Sequence, residues 1–259
     1  MTRNPAHVSR HRRPRRTRTV AILILAAAAV CAVLATAAVR LLGHRDSERP
    51  ELTVVPASSE AAGVGPLSSL APTEPPDATV ADLTWVGVAG ARVPTSPSAG
   101  PHDVRDGRAR GFARSALGAV LAAVHISVRL CPQVGPGVFT ATLREQVVGA
   151  GSVALGQHLD EDYQQTRAQL GLAYGQPAGR LYTTAYGYRV ESADSDTATV
   201  RLLIEGPGAG AGSVLVALTM QLLWTGEDWS LVAPVNGDWG AQAFVTSDTT
   251  GIIRFPGGG

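Results

Sequence analysis

The 259-residue chain contains no lysine; all 22 of its basic residues are arginines. Such a bias reflects the base composition of a genome rather than a mechanism. Cysteine is nearly as scarce. Cys31 and Cys131 allow one bridge at most, which excludes a small fold built on disulfides. Phenylalanine, tryptophan and tyrosine are missing before Trp85, so the large core-forming side chains lie in the last two thirds of the chain. Acidic residues are missing before Asp46. Wholesale disorder is excluded too, because 45% of the residues are hydrophobic.

What is present is segregated. Arg3, Arg10, Arg12, Arg13, Arg15, Arg16 and Arg18 give the first 18 residues a charge of +7, and Arg40 adds one more. Residues 43–259 hold the other 14 arginines and all 21 acids, a net of −7. Between these opposite charges runs TVAILILAAAAVCAVLATAAV, residues 19–39, with no charge in 21 positions. As a helix it is roughly 31 Å long at about 1.5 Å per residue, which matches a hydrocarbon core of about 30 Å. A soluble core helix would need a polar face, and Thr19 and Thr36 near the ends do not make one. A cleaved signal peptide is the rival reading, with Ala35-Thr36-Ala37 as a cleavage site and Arg15-Arg16 as a twin-arginine hint. Its apolar region is ordinarily only about 7–15 residues. A lipid anchor at Cys31 is disfavoured by the mid-span position and by Val30 before it.

The expectation is a single transmembrane helix over residues 19–42. Its arginine flank holds a basic tail, residues 1–18, in the cytoplasm. The remainder is exported, giving a single-pass cell-membrane protein with an extracellular C-terminal domain. The arginines set topology and touch anionic lipid, so direct nucleic-acid binding is not expected. Residues 43–80 carry six prolines among alanine, serine and glutamate and show no hydrophobic period. They read as a tether, roughly 35 Å long as a coil and on the order of 118 Å as polyproline.

Residues 81–235 carry the pattern of a folded α+β domain, with 236–259 as a tail. Residues 82–88 read as a short extended segment. Leu117, Val120, Leu121, Val124 and Val128 recur at helical spacing within 109–130. A second helix is expected over 136–148, with Pro136 in its first turn. A third is expected over 160–171, with Asp160, Glu161 and Asp162 at its start, where the helix dipole favours negative charge. After Gly179 the period becomes two. Residues 180–192 place Tyr182, Tyr186 and Tyr188 on one face, and strands over 197–205, 214–225 and 229–233 complete a four-stranded antiparallel meander. The loop GPGAGAG at 206–212 joins two strands and lacks the Gly-Lys-Ser/Thr of a phosphate cradle.

Two sets of residues carry a resemblance. Leu223-Trp224-Thr225-Gly226-Glu227-Asp228-Trp229-Ser230-Leu231 resembles the closing hairpin of nuclear transport factor 2-like domains. That likeness implies about three helices packed on a curved four-stranded antiparallel sheet. Val93-Pro94-Thr95-Ser96 with Gly100-Pro101, and Gly111-Phe112-Ala113-Arg114 with Gly118-Ala119-Val120-Leu121-Ala122-Ala123, resemble a family of actinobacterial membrane proteins of integrative and conjugative elements. The arrangement of tail, span, linker and domain is similar to bitopic scaffold subunits of type IV secretion machines. The resemblance implies an assembly module without chemistry, with other conjugation or secretion subunits, or a second copy, as partners.

No motif for catalysis, cofactor or metal stands out. Tyr182, Tyr186, Tyr188, Trp224 and Trp229 are the candidate interaction surface, because aromatics are enriched in binding hot spots. The alternative is an exported ligand-binding domain or enzyme, for which His125, Asp162 and Tyr182 are the polar candidates; a wall-zone regulator is a further one. His44, His102, His125 and His158 lack metal-ligand spacing, and Cys131 reads as a small buried hydrophobe. The expectation is a scaffold that is not an enzyme, with no cofactor.

Overall fold

The alternating segment after Gly179 becomes the centre of a sheet larger than its own four strands. The computed structural model describes residues 82–208 and 212–257. In chain order these form β1 (Thr84–Val88), β2 (Ala91–Thr95), a hairpin of β3 (Asp103–Arg105) and β4 (Arg108–Arg110), helix α1 (Ala116–Arg129), helix α2 (Pro136–Gln146) and β5 (Val147–Val148). Helix α3 (Ser152–Leu170) follows, then β6 (Thr184–Ala193), β7 (Thr197–Pro207), β8 (Ser213–Trp224), β9 (Trp229–Val232), β10 (Ala243–Thr246) and β11 (Ile253–Arg254).

Nine strands form one mixed sheet with the path β1-β2-β6-β7-β8-β9-β5. Strand β10 joins the edge of β8, and β11 joins the edge of β6. Two pairings are parallel, β2 with β6 and β5 with β9. This overturns the nuclear transport factor 2-like expectation of a four-stranded antiparallel sheet. The physical reason is that alternation reports which residues share a face and not which edges pair. The added strands are short, contain proline (Pro94) or lie in the C-terminal segment, where no alternation marks them. That segment is fixed by aromatic packing: Phe255 lies 5.0 Å from Tyr188 and 6.2 Å from Trp85, and the Trp85 indole donates to the Pro256 carbonyl at 2.7 Å.

No helix among the described residues is long and apolar enough to cross a membrane. The expected span, with the basic tail and the linker, lies outside those residues.

The concave face packs on α1. Val190, Val200, Met220 and Leu231 point inward from four neighbouring strands, and α1 meets them with Ala119, Val120, Leu121, Ala122 and Ala123, none of which is exposed to solvent. Small residues let helix and sheet approach closely, and burial at about 25 cal/mol per Å² of apolar surface is what holds them there. The helix begins later than its apolar period predicts, because residues 108–110 pair as β4 and Ser115 caps the start, its hydroxyl accepting from the Gly118 amide at 3.1 Å.

The segment before α1 is gripped by the closing hairpin. The Asp228 carboxylate accepts from the amides of Gly111 (2.8 Å), Phe112 (3.1 Å) and Trp229 (2.9 Å). The Trp229 indole donates to the Ala113 carbonyl at 2.9 Å. Ala113 in turn donates to the Ala99 carbonyl at 3.1 Å. The two sequence stretches that stand out, 93–101 and 111–123, therefore hold backbone to backbone.

The chain turns back so tightly at Ala113 that a Cβ on Gly118 would sit 1.9 Å from its carbonyl oxygen. Gly118→Ala is expected to lower stability by about 1–3 kcal/mol or more, the usual range for overpacking. Urea unfolding of the variant checks this; an unchanged midpoint would show that Ala113 is free to move aside.

Candidate functional site

The strands of the sheet outlast α1 in length. Beyond the helix, Ala185, Leu202, Ile204, Val216 and Leu218 face inward with no helix directly upon them, and α3 closes over the gap at an offset. The result is a cleft of about 690 Å³ between the curled sheet, the end of α1 and one face of α3. That volume lies within the range of about 300–1,000 Å³ found for small-molecule sites.

The cleft has a polarity gradient set by helical spacing. Residues 155, 158, 159, 162, 165, 166 and 169 lie on the α3 face that looks into it. Leu155 and Leu159 are buried at the deep end, while His158, Asp162, Gln165 and Gln169 stand toward the mouth, joined there by Glu161 and by Asp238 from the loop after β9. The expectation that Asp160, Glu161 and Asp162 cap a helix is overturned: α3 starts at Ser152, so these acids sit in its middle. Desolvation at the mouth raises the Asp162 carboxyl above the ordinary carboxylate range, opposed by His158 and reinforced by the nearby charges of Glu161 and Asp238.

The expected aromatic surface divides. Tyr182 is exposed at the surface, while Tyr186 and Trp224 are half-buried. Arg254 stacks over Tyr186 at 4.5 Å and Arg114 over Trp224 at 5.5 Å, so each ring already has a cation on its face. Tyr188 and Trp229 are core residues, fully buried. For Tyr188 the cause is a bulge: the β6–β7 register slips between Ala185 and Gly187, which turns Tyr188 to the inner face that simple alternation denies it. Trp229 packs edge-on to Trp224 at 5.5 Å beneath the hairpin.

The polar candidates do not meet. Asp162 lines the cleft, Tyr182 does not, and His125 is sealed inside. His125 Nε2 donates to the Pro94 carbonyl at 2.8 Å. Its Nδ1 accepts from Arg129 Nη1 at 3.0 Å. Arg129, also buried, donates through Nε to the Gly107 carbonyl at 2.7 Å. The pair thus ties α1 to β2 and to the β3–β4 turn, and burial, helped by the Arg129 charge, pushes His125 down to about 3. Among the described residues no cluster of histidine, cysteine, aspartate or glutamate is placed to hold a metal ion. Cys131 lines the cleft wall with its thiol pushed up to about 12 by burial, which leaves it a poor nucleophile.

Gln133 is the site residue that sequence reasoning misses. It lies in a short 3-10 turn, Pro132–Val134, that follows Cys131. Only 3% exposed, it lines the cleft, yet its side chain makes no hydrogen bond to another described residue. A polar residue between Cys131-Pro132 and Val134 was the one available signal, and nothing in the local pattern says that the turn faces a cavity.

Fold and site together define a domain whose large curled mixed sheet of nine strands and few helices enclose a largely apolar cleft with an acidic mouth. The chain belongs to the family described as Domain of unknown function (DUF8175), whose model matches residues 46–254. No curated protein and no solved structure matches it.

The His125–Arg129 pair has a pH consequence. Unfolded histidine takes up its proton near 6.5 and the folded one only near 3. The pair's contribution is therefore complete above pH 6.5 and falls as the pH drops from there toward 3, at about 1.4 kcal/mol per pH unit for one proton. His125→Gln is expected to be less stable at pH 7 and to lose about one proton's worth of this slope. Urea midpoints measured from pH 7 to pH 4 for both proteins check it; parallel curves would refute the assignment.

Proposed function

We propose that this chain is a single-pass, membrane-anchored scaffold or assembly protein that acts by binding rather than by catalysis, with the cleft as the place where its folded domain holds an apolar guest. The observation that carries this reading is the cleft itself: about 690 Å³, walled by aliphatic side chains from five strands and two helices. The acid–base candidates His125, Asp162 and Tyr182 occupy three separate environments, which favours binding over a general acid–base reaction.

The anchor belongs to the same proposal and rests on the uncharged run at 19–39 behind its arginines. The setting proposed for it is the conjugative DNA-transfer apparatus implied by the resemblance of residues 93–101 and 111–123, with other subunits of that machine, or a second copy, as partners. The exposed Tyr182 remains available for such contacts.

The full-length chain in lipid nanodiscs is expected to enhance the fluorescence of the neutral apolar probe N-phenyl-1-naphthylamine above the level of empty nanodiscs. Val216→Trp, which fills the cleft from its floor, is expected to weaken that binding by about tenfold or more, a loss of about 1.4 kcal/mol, without moving the thermal midpoint by more than about 4 °C. An absent enhancement, or one untouched by Val216→Trp, would overturn the reading.

A further inference from the structure

The nature of the guest can be narrowed, on the footing that the cleft is a binding site. Its deep walls are aliphatic: Val93, Val124, Leu130, Leu202 and Met220 are all nearly or fully buried, and Trp239 is the one aromatic residue among the lining residues. Such walls accept a flexible hydrocarbon chain as readily as a ring system, because they carry few stacking partners that would select for rings. The volume has room for a hydrocarbon chain.

Charge is distributed unevenly around the opening. The charged side chains that line the cleft are Glu161, Asp162, Asp238 and Arg92, with His158 among them as a further titratable group. Three carboxylates thus face one guanidinium, and that guanidinium lies over the Trp85 ring at 5.2 Å. Arg92 makes no ion pair with the three acids, and no other described arginine does so. Asp238 accepts from the Gly240 amide at 2.7 Å, and the His158 ring is held at 3.1 Å from the Gly237 carbonyl. Asp162 and Glu161 have no hydrogen-bonding partner among the described residues that would neutralise them. Like charges gathered at a partly desolvated mouth repel one another, and a cation placed among them relieves that repulsion.

The second observation is independent of the acids. The Gln133 side chain is largely buried, borders the cleft and makes no hydrogen bond to another described residue, while its amide atoms keep a little contact with solvent. Water meets that amide while the cleft is open, and a guest that expels the water must replace its hydrogen bonds or cost free energy. A purely hydrocarbon guest would leave it unmet.

We propose that the cleft binds a single-chain amphiphile with a cationic head. The aliphatic chain lies against the concave sheet, an ester or amide group comes within reach of Gln133, and the positive head rests between Asp162 and Asp238.

Competition against N-phenyl-1-naphthylamine in the same nanodiscs, with empty nanodiscs as reference, tests this with twelve-carbon compounds of about equal chain volume. Dodecyltrimethylammonium is expected to displace the probe at a concentration about tenfold or more below that of dodecanoate. Dodecanoylcholine, which carries an ester, is expected to be about threefold or more better again. Asp162→Asn with Asp238→Asn should collapse the preference for positive over negative heads, and Gln133→Leu should erase the ester advantage alone, since each acts on a different part of the guest. Equal displacement by cation and anion would overturn the proposal while probe binding still upheld a binding cleft. Loss of all probe binding, as when a second copy or a segment of the chain itself fills the cleft, would overturn both.

Discussion

Everything described depends on α1 staying seated in the hollow of the sheet. The helix is buried along nearly its whole length, so both its own side chains and the backbone leading into it must fit against neighbours at contact distance. Asp228 makes that fit specific. One carboxylate satisfies two amides in the segment before α1 and a third at the start of β9, so the closing hairpin and the central helix hold each other in register. Burial raises that carboxyl above its ordinary range and the three amides pull it back, which is the balance expected of a group kept for geometry. At the other end of α1, Arg129 and His125 perform the matching task for β2 and the β3–β4 turn, with carbonyl oxygens as the acceptors and, among the described residues, no carboxylate paired with the arginine.

The cleft is a by-product of this seating. Strands β6, β7 and β8 have 10, 11 and 12 residues, longer than the stretch of sheet that α1 covers. Their inward side chains beyond the helix must face something. Helix α3 covers them at a distance, because its only large apolar groups toward the sheet, Leu155 and Leu159, are confined to its N-terminal half. A third leucine one or two turns further on, in place of Asp162 or Thr166, would draw the helix down and close the cavity. The polar C-terminal half of that face therefore keeps the site open as well as giving the mouth its charge.

How much of this is legible in the residues follows from which interactions are local. Helices α1 and α2 and the strands β6 to β9 are marked by period, caps and turns, all short-range signals, and they lie within or close to the stretches so marked. The start of α3 is not, because its first turns carry Gly156, Gln157 and His158 and dilute the apolar period before the acids. The overall sheet is not legible either. Strand β2 enters by a single parallel contact, Arg92 with Thr184, and β10 and β11 add four and two residues, too few for a pattern. Tyr188 shows the limit most plainly: one bulge residue moves it from the face that alternation assigns to the opposite one.

The same logic explains why the resemblance-bearing stretches do not contain the site. Gly100, Gly111, Ala113 and Gly118 stand where one strand of backbone presses on another, and a side chain at Gly100 or Gly118 would strike a carbonyl oxygen. Residue type there is dictated by the absence of space, a constraint that leaves a conspicuous signature in a sequence. The cleft imposes weaker demands on any one position, since many aliphatic residues line a cavity equally well. Its discriminating groups, Gln133, Asp162 and Asp238, come from three elements distant in the chain and look unremarkable in each. A motif can therefore be memorable because it builds the frame, while the residues that select a guest are recognisable only once the frame has brought them to one opening.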